Sequence, residues 1–314
     1  MTDIQTPSDP ARPAMINEKH EAKALTPPIA WPSFVFMGLL ILAHWGMIIA
    51  GLMGVIPLWA LILPLGYTAY AHYTLVHESI HGNFIQDRRY AWLHTLIGWY
   101  GSFILFTPFP LLERTHKHHH SFVNSEKDPD IYVKMSFPRL LLRNLISWVL
   151  QLLPVKLLQT ILPEALKHRG YLGADKIMSL SELRQYHIAN WIWVGLLWGA
   201  VFAGFGWEVA TLFYLPLLIA LNMLVIMFQW LPHHPFKETG RYSATRNTGM
   251  SGLNLIFLWQ NWHLMHHLWP SVPFYNYERL YHSLRPVLEE KGARHHEGLV
   301  PNAGDIDADP VAAE

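Results

Sequence analysis

Histidine is the residue type whose spacing first suggests chemistry in this sequence. Three clusters stand out: His77 with His81, then His116, His119 and His120, then His263, His266 and His267. Side chains three or four positions apart share one face of an α-helix, so each cluster would present its imidazoles together. Imidazole nitrogen binds iron, copper and zinc, and eight histidines suffice for two metal ions with positions left for dioxygen. The clusters therefore predict a metal centre that carries out oxidation chemistry.

Two further histidines, His233 and His234, follow a late apolar segment. We predict that one of them is a ninth ligand and choose His234, with His233 as the alternative. The other notable histidines are isolated or out of register, and we expect them to be packed, hydrogen-bonded or surface residues rather than ligands. These are His44, His72 and His118.

Acidic side chains near the clusters have two interpretations. They can accept hydrogen bonds from imidazole N–H groups and so orient the metal ligands, or they can be solvated loop charges. The residues concerned are Glu78, Glu126, Asp128 and Asp130. The sequence leaves both interpretations open, and it predicts no catalytic residue beyond the metal ligands and no organic cofactor site.

The first cluster also has a competing interpretation. Residues 77–81 read His-Glu-Ser-Ile-His, which matches the H-E-x-x-H motif of zinc metalloproteases, where the glutamate is the general base. An intramembrane protease of that kind would leave the other two clusters without a joint purpose. A non-enzymatic metal carrier is a further alternative, and it would bind metal without consuming dioxygen.

Composition places this metal centre in a membrane protein. Hydrophobic residues make up 51% of the 314 residues and charged residues 15%, which is too apolar for an ordinary soluble enzyme. The absence of cysteine excludes iron–sulfur clusters and thiolate sites, so nitrogen and oxygen atoms must hold any metal. Net charge is zero, which gives no reason to expect a nucleic-acid partner.

Apolar segments predict an all-α integral membrane protein with about four transmembrane helices in two hairpins. The first hairpin comprises residues 33–55 and 58–76, and the second comprises residues 188–205 and 209–231, joined through residues 206–208. Residues 91–112 are apolar but rich in Gly and Pro, which favours a re-entrant or interfacial segment. Residues 140–162 contain Arg143, Pro154 and Lys156 and suit a helix along the membrane surface.

Basic residues predict the orientation. Between the hairpins lie Arg88, Arg89, Arg114, Lys117, Lys127, Lys134, Arg139 and Arg143. The two tight turns have no Lys or Arg, so both termini and all three clusters are expected on the cytoplasmic side. Residues 1–28 and 287–314 are predicted to be largely disordered tails around a membrane domain at 29–286, because they lack apolar periodicity. The first 23 residues are polar, and we expect no cleavable signal peptide.

The segments HESIH, HKHHH and HLMHH, in that order and separated by membrane hairpins, resemble the three histidine boxes of the membrane fatty acid desaturase superfamily. The resemblance covers roughly residues 33–286. It implies a four-span helical protein with a cytoplasmic di-iron site that uses two Fe2+ ions and dioxygen to oxidise an unactivated C–H bond of a lipid. The ligands it implies are His77, His81, His116, His119, His120, His263, His266 and His267, with His233 or His234 in addition.

The same resemblance suggests two reactions. Fatty-acyl desaturation is the preferred prediction, and hydroxylation of a carotenoid β-ionone ring is the alternative, because the segments NWHLMHHLWPSVPFYNY and LPHHPF are similar to bacterial carotenoid ring hydroxylases. It also implies a bacterial inner membrane, a lipid substrate from the bilayer and an external electron donor, such as a ferredoxin or a cytochrome with its reductase. The oligomeric state is not predicted.

Overall fold

A computed structural model describes residues 16–130, 135–163, 172–173, 176–249 and 252–297 of the chain. This part of the protein is mostly helical, as predicted. The α-helices are α1 (Glu18–Ala24), α2 (Trp31–Leu52), α3 (Ile62–His81), α4 (Ala91–Ile104), α5 (Phe109–Phe122), α6 (Phe137–Gln151), α7 (Val155–Ile161), α8 (Leu180–Ala200), α9 (Gly206–Glu208), α10 (Leu215–Met223), α11 (Leu231–His233), α12 (Leu253–Phe257), α13 (His263–Leu268) and α14 (Tyr277–Glu290).

Shorter elements connect these helices. Leu58–Leu61, Arg88–Tyr90 and Phe274–Asn276 are 3-10 turns, and Val201–Phe205, Val209–Tyr214 and Leu224–Trp230 are π-helical. Two strands, β1 (Arg246–Gly249) and β2 (Arg294–Glu297), pair in parallel, with Arg246 opposite Arg294. The predicted all-α protein is thus mostly helical, with one small two-stranded sheet that the sequence did not predict.

The first hairpin consists of α2 and α3, which pack against each other. The chain turns at Gly54, whose φ of 74° lies in the left-handed region that glycine adopts without strain. Helix α2 is long and apolar enough to cross a membrane. Helix α3 has 20 residues and includes His72, His77 and Glu78, so it is more polar than α2. It continues to His81 and places the first histidine cluster within its last turns.

The second hairpin lies within a helical run of 54 residues, Leu180–His233. Gly204 interrupts this run with φ 99° and ψ 2°, values that are not helical. Val194 and Leu217 then pack in one apolar cluster, although a straight helix would separate them by about 35 Å. The run therefore folds back on itself, and the turn centres on Gly204 rather than on residues 206–208 as predicted.

Two pairs of helices are sharply bent. Arg88–Ile104 and Phe109–Phe122 meet at 103°, and Phe137–Gln151 and Val155–Ile161 meet at 108°. The first bend follows Phe106, whose φ is 51°, and precedes Pro108. Among the described residues, two helices can cross a membrane by length and composition, or up to four if each bent pair is one span.

Ordered structure extends into both predicted tails. Helix α1 lies inside the range predicted as a disordered N-terminal tail, and its Ala22 is buried in the cluster formed by α13 and α14. Leu25 accepts a 2.9 Å hydrogen bond from Asn276 Nδ2. At the other end, α14 and β2 extend past residue 286. The predicted tails, residues 1–28 and 287–314, therefore include residues with regular structure. Residues 1–15 and 298–314 lie outside the described residues.

Helix α3 holds the first cluster in place because glycines on neighbouring helices let it pack closely. A Cβ added at Gly101 of α4 would lie 2.9 Å from the backbone oxygen of His72 and 2.7 Å from Val76 Cγ2. Such distances are too short for a real Cβ, and the backbone of α3 cannot give way as a side-chain tip can. The close contact of α3 and α4 therefore depends on Gly101.

We predict that Gly101→Ala lowers the midpoint of thermal unfolding in detergent, because overpacking of this kind costs about 1–3 kcal/mol. Gly195→Ala is the matched control: Gly195 lies within helix α8 and has nothing within 4 Å of an added Cβ. Alanine there should leave stability unchanged or raise it slightly. Equal midpoints for the two variants would show that the α3–α4 contact tolerates a side chain.

Candidate metal centre

Four helices bring the histidine clusters to one place. His77 and His81 end α3, and α5 contributes the second cluster near its C-terminus. The third cluster occupies most of the short helix α13, and His233 is the last residue of α11. Because α3 packs against α5, clusters that are about 35 residues apart in sequence become neighbours.

One group of nitrogen atoms, called group 1 here, comes from His77, His81, His116 and His266. Their ligand atoms all lie within 4.8 Å of one another. His77 Nε2 is 3.1 Å from His266 Nε2, and His81 Nε2 is 2.9 Å from His116 Nε2. All three histidine clusters thus contribute to a single four-nitrogen site.

A second group, called group 2, comes from His119, His233, His263 and His267, again with all ligand atoms within 4.8 Å. His263 Nε2 is 3.0 Å from His233 Nε2 and 3.1 Å from His267 Nε2. His119, His233 and His263 are buried. Each group therefore offers four imidazole nitrogens.

His120 lies between the two groups. Its Nε2 is 2.7 Å from His266 Nε2 and 3.2 Å from His116 Nε2, both in group 1. Its ring stacks on that of His267 in group 2, with 4.4 Å between centroids. His120, His266 and His267 also form a set of three possible ligands. The two groups are therefore adjacent parts of one centre.

The donor atoms fit a pair of metal ions. Two nitrogens bound at right angles to one ion, each at about 2.1 Å, would lie about 3.0 Å apart, close to the separations found in both groups. Burial lowers the pKa of His263, His266 and His267 well below the usual value, so these imidazoles are neutral near pH 7. A neutral imidazole has the lone pair that metal binding requires.

Asp128 orients a ligand of group 2. His119 Nδ1 donates a 2.9 Å hydrogen bond to Asp128 Oδ1, which leaves the lone pair on His119 Nε2. The backbone N–H groups of Asn124 and Asp130 also donate to this carboxylate, and Asp128 is buried. Glu126 is exposed. The orienting interpretation therefore applies to Asp128, and Glu126 is a surface charge.

Glu78 supports group 1 from behind. Its Oε1 lies 3.5 Å from His77 Nδ1 and accepts a 3.3 Å hydrogen bond from Asn83 Nδ2, while Oε2 accepts one from the Phe274 N–H. The carboxylate is fully buried and is absent from the sets of possible ligands among the described residues. A protease base would face a water on the metal, so the contacts of Glu78 disfavour the H-E-x-x-H interpretation.

His233, and not His234 as predicted, lies with the other candidate ligands. Helix α11 ends at His233, and His234 has an extended backbone with φ −87° and ψ 136° and belongs to neither group among the described residues. The His234 ring stacks on Trp230, with 4.6 Å between centroids. His233, in contrast, is buried against His263. The alternative left open by the sequence is the one that the geometry favours.

The isolated histidines lie outside both groups, as expected. His44 Nδ1 is 2.8 Å from Thr68 Oγ1, and His72 Nδ1 is 2.7 Å from the Thr68 carbonyl oxygen. The His118 ring packs on Phe122, with 4.5 Å between centroids.

Tyr277 is a residue of the centre that the sequence did not reveal. Its hydroxyl lies 3.1 Å from His266 Nδ1, and it is fully buried. Burial, with the nearby charge of Glu78, raises the pKa of Tyr277, so the hydroxyl stays protonated. The only signal was its position ten residues after His267, at the start of α14.

Comparison with known families identifies the family of the chain. The family model described as "Fatty acid desaturase" matches residues 53–298, most of the 314-residue chain. This range includes the four histidines of group 1, the four of group 2 and His120, which lies between the groups. No curated protein matches the chain.

We predict that His233→Ala lowers the metal bound per purified chain, whereas His234→Ala leaves it unchanged. Removal of His233 takes one nitrogen from group 2, while His234 belongs to neither group among the described residues. Metal content after loading with Fe2+ or Co2+ under nitrogen, measured by plasma mass spectrometry, tests this. The reverse order of effects would restore His234 as the ligand.

We also predict that Asp128→Asn weakens metal binding at group 2 by about 10- to 100-fold, the usual cost of losing a carboxylate behind a histidine ligand. Glu126→Gln is the control, since Glu126 is exposed two residues away. Competition with a chelator of known affinity measures both. If the two variants bind metal equally well, Asp128 does not orient His119.

Proposed function

This chain belongs to the fatty acid desaturase family, and we propose that it is a di-iron oxidoreductase that uses dioxygen to introduce a double bond into a fatty acyl chain. The observation that carries the proposal is the pair of adjacent four-nitrogen groups joined through His120. We propose two iron ions, one at each group. When bound, they supply the oxidising power needed to remove hydrogen from an unactivated C–H bond.

The protein contributes geometry and a dry environment. Asp128 and Tyr277 orient His119 and His266 through the hydrogen bonds described above, and the Glu78 carboxylate lies 3.5 Å from His77 Nδ1. Most of the ligand side chains are buried, which excludes bulk water from the reacting centre. The residues of this chain thus hold the donors aligned, as cofactor chemistry requires.

Electron balance supports an external donor. Removal of two hydrogen atoms from an acyl chain releases two electrons, whereas reduction of dioxygen to two water molecules takes four. The remaining two electrons must come from a reductant. We therefore include in the proposal a separate donor of the ferredoxin or cytochrome class with its reductase.

The apolar helices and the family support a membrane protein, and the proposal extends to its orientation. Basic residues lie between the hairpins, and the tight turns lack them, which favours a cytoplasmic metal centre and substrate entry from the bilayer. We propose a bacterial inner membrane as the location. A metal carrier would need no electron donor, and a protease would need only the first cluster.

We predict that expression of the chain, with a suitable donor, yields acyl chains lighter by two hydrogen atoms, in a dioxygen-dependent manner. His81→Ala in group 1 and His267→Ala in group 2 should each abolish the product and lower bound iron, because both groups are required. His118→Ala is the matched control, since His118 lies on α5 outside both groups and should keep the activity.

Mass spectrometry of lipid extracts measures the outcome. The experiment compares hosts with ordinary membrane lipids and hosts that accumulate β-carotene. If the product is a carotenoid with an added oxygen atom, the activity is ring hydroxylation and not acyl desaturation. Unchanged lipids, together with cleavage of a peptide substrate that survives His267→Ala but requires Glu78, would instead support the protease interpretation.

A further inference from the structure

A cavity of about 430 Å³ lies between the two hairpins, away from the metal centre. Its walls come from α2, α3, α4 and the second hairpin, and they are almost entirely aliphatic and aromatic. Two lining residues are ionisable, His44 and Glu208. Pockets of this size with few polar groups are typical small-molecule sites, in which the polar groups select the ligand.

His44 is unusual in its position. It lies in the middle of α2, an apolar helix long enough to cross a membrane, and it is only 5% exposed. Polar side chains in such helices are costly and are a functional-site hypothesis by default. Glu208, in contrast, is partly exposed at the turn of the second hairpin, near the exposed Trp207.

We assign the proton of the His44 ring from the contacts of Thr68. Thr68 Oγ1 donates to the Leu65 carbonyl oxygen at 3.1 Å. With the single hydroxyl proton assigned to that bond, Thr68 Oγ1 accepts from His44 Nδ1, 2.8 Å away. His44 therefore carries its proton on Nδ1, and Nε2 has a free lone pair.

Neighbouring polar groups satisfy one another and do not use this lone pair. His72 contacts the Thr68 carbonyl oxygen through Nδ1 and the Tyr100 hydroxyl through Nε2, at 2.7 and 3.1 Å. Trp45 Nε1 donates to the same hydroxyl at 3.0 Å. Within the described part of the chain, the hydrogen bond to Thr68 is the only one made by His44.

We propose that this cavity binds the hydroxyl-bearing end of an otherwise apolar lipid, with the hydroxyl donating a hydrogen bond to His44 Nε2. An acceptor site selects an alcohol over a ketone, an ether or a plain hydrocarbon, because only the alcohol has a proton to donate. The aromatic and aliphatic walls take the remainder of the molecule. This inference does not depend on the proposed function.

The site is distinct from the metal centre. Thr68, whose hydroxyl contacts His44, is nine residues before His77 on α3. Thr68 and His77 are therefore about 14 Å apart along the helix axis. The intervening residues Tyr70, Leu75 and Val76 are buried in the main apolar cluster. A hydroxyl at His44 is therefore held well away from groups 1 and 2.

Photolabelling tests the proposal without using activity. The purified full chain in phosphatidylcholine nanodiscs is exposed to a long-chain alcohol with a diazirine, or to its methyl ether or ketone analogue. Labelled peptides that line the cavity are quantified by mass spectrometry. At equal, subsaturating concentration we expect the alcohol to label them about five- to tenfold more than either analogue, the effect of about one hydrogen bond.

Two variants complete the experiment. His44→Phe keeps most of the volume but removes the acceptor, so labelling by the alcohol should fall to that of the ether. Ile48→Phe narrows the cavity without changing His44, so labelling by all three probes should fall together. Unchanged elution in size-exclusion chromatography and unchanged metal content show that both variants fold.

Three results would overturn the proposal. Equal labelling by the three probes in the unmodified protein would mean that the cavity selects only by shape. Preference for the alcohol that survives His44→Phe would place the selecting group elsewhere. Preferential labelling by the ketone would reverse the proton assignment of His44.

Discussion

The structure depends on bringing imidazole nitrogens from four helices to within hydrogen-bond distance of one another. Separations near 3 Å between Nε2 atoms are tolerable only if the rings are neutral and each ring is held at its other nitrogen or by packing. Burial provides the neutrality, as the lowered pKa values of His263 and His266 indicate. Asp128 and Tyr277 hold ring nitrogens on the far side. Bringing the histidine rings together therefore also requires holding each ring in a fixed orientation.

The helices around the centre reflect this requirement. Helix α3 approaches α4 closely at Gly101, next to the His72 backbone. A bend of 103° separates α4 from α5, and α5 packs against α3. A straight helix through both segments would carry His116 and His120 away from His81. The break at Phe106 and Pro108 is thus what allows the second cluster to meet the first.

Much of this was predictable, because helical spacing and apolar length are local properties of a sequence. The eight histidines of the three clusters, the two hairpins and the exclusion of His118 follow from such patterns.

The choice between His233 and His234 does not follow from a local pattern. It depends on the residue at which α11 ends, and the extended backbone of His234 sets that end. Tyr277 and the pairing of β1 with β2 depend on contacts between distant segments, for which no periodic signal exists. The turn at Gly204 differs from the prediction because a single left-handed residue, rather than the nearby polar Glu208, determines it.

Glu78 shows why a short motif does not determine chemistry by itself. The same five residues would form a protease site if the carboxylate faced a metal-bound water. Here Asn83 and the Phe274 N–H donate to its oxygens, His77 Nδ1 lies beside them, and the carboxylate is in none of the ligand sets of the described residues. Its charge is placed behind a ligand, where it favours an imidazole with the proton on Nδ1 and the lone pair on Nε2. One of these contacts comes from Phe274, almost 200 positions away in the sequence. Because of such contacts, Glu78 lies behind a metal ligand and not in the position of a general base.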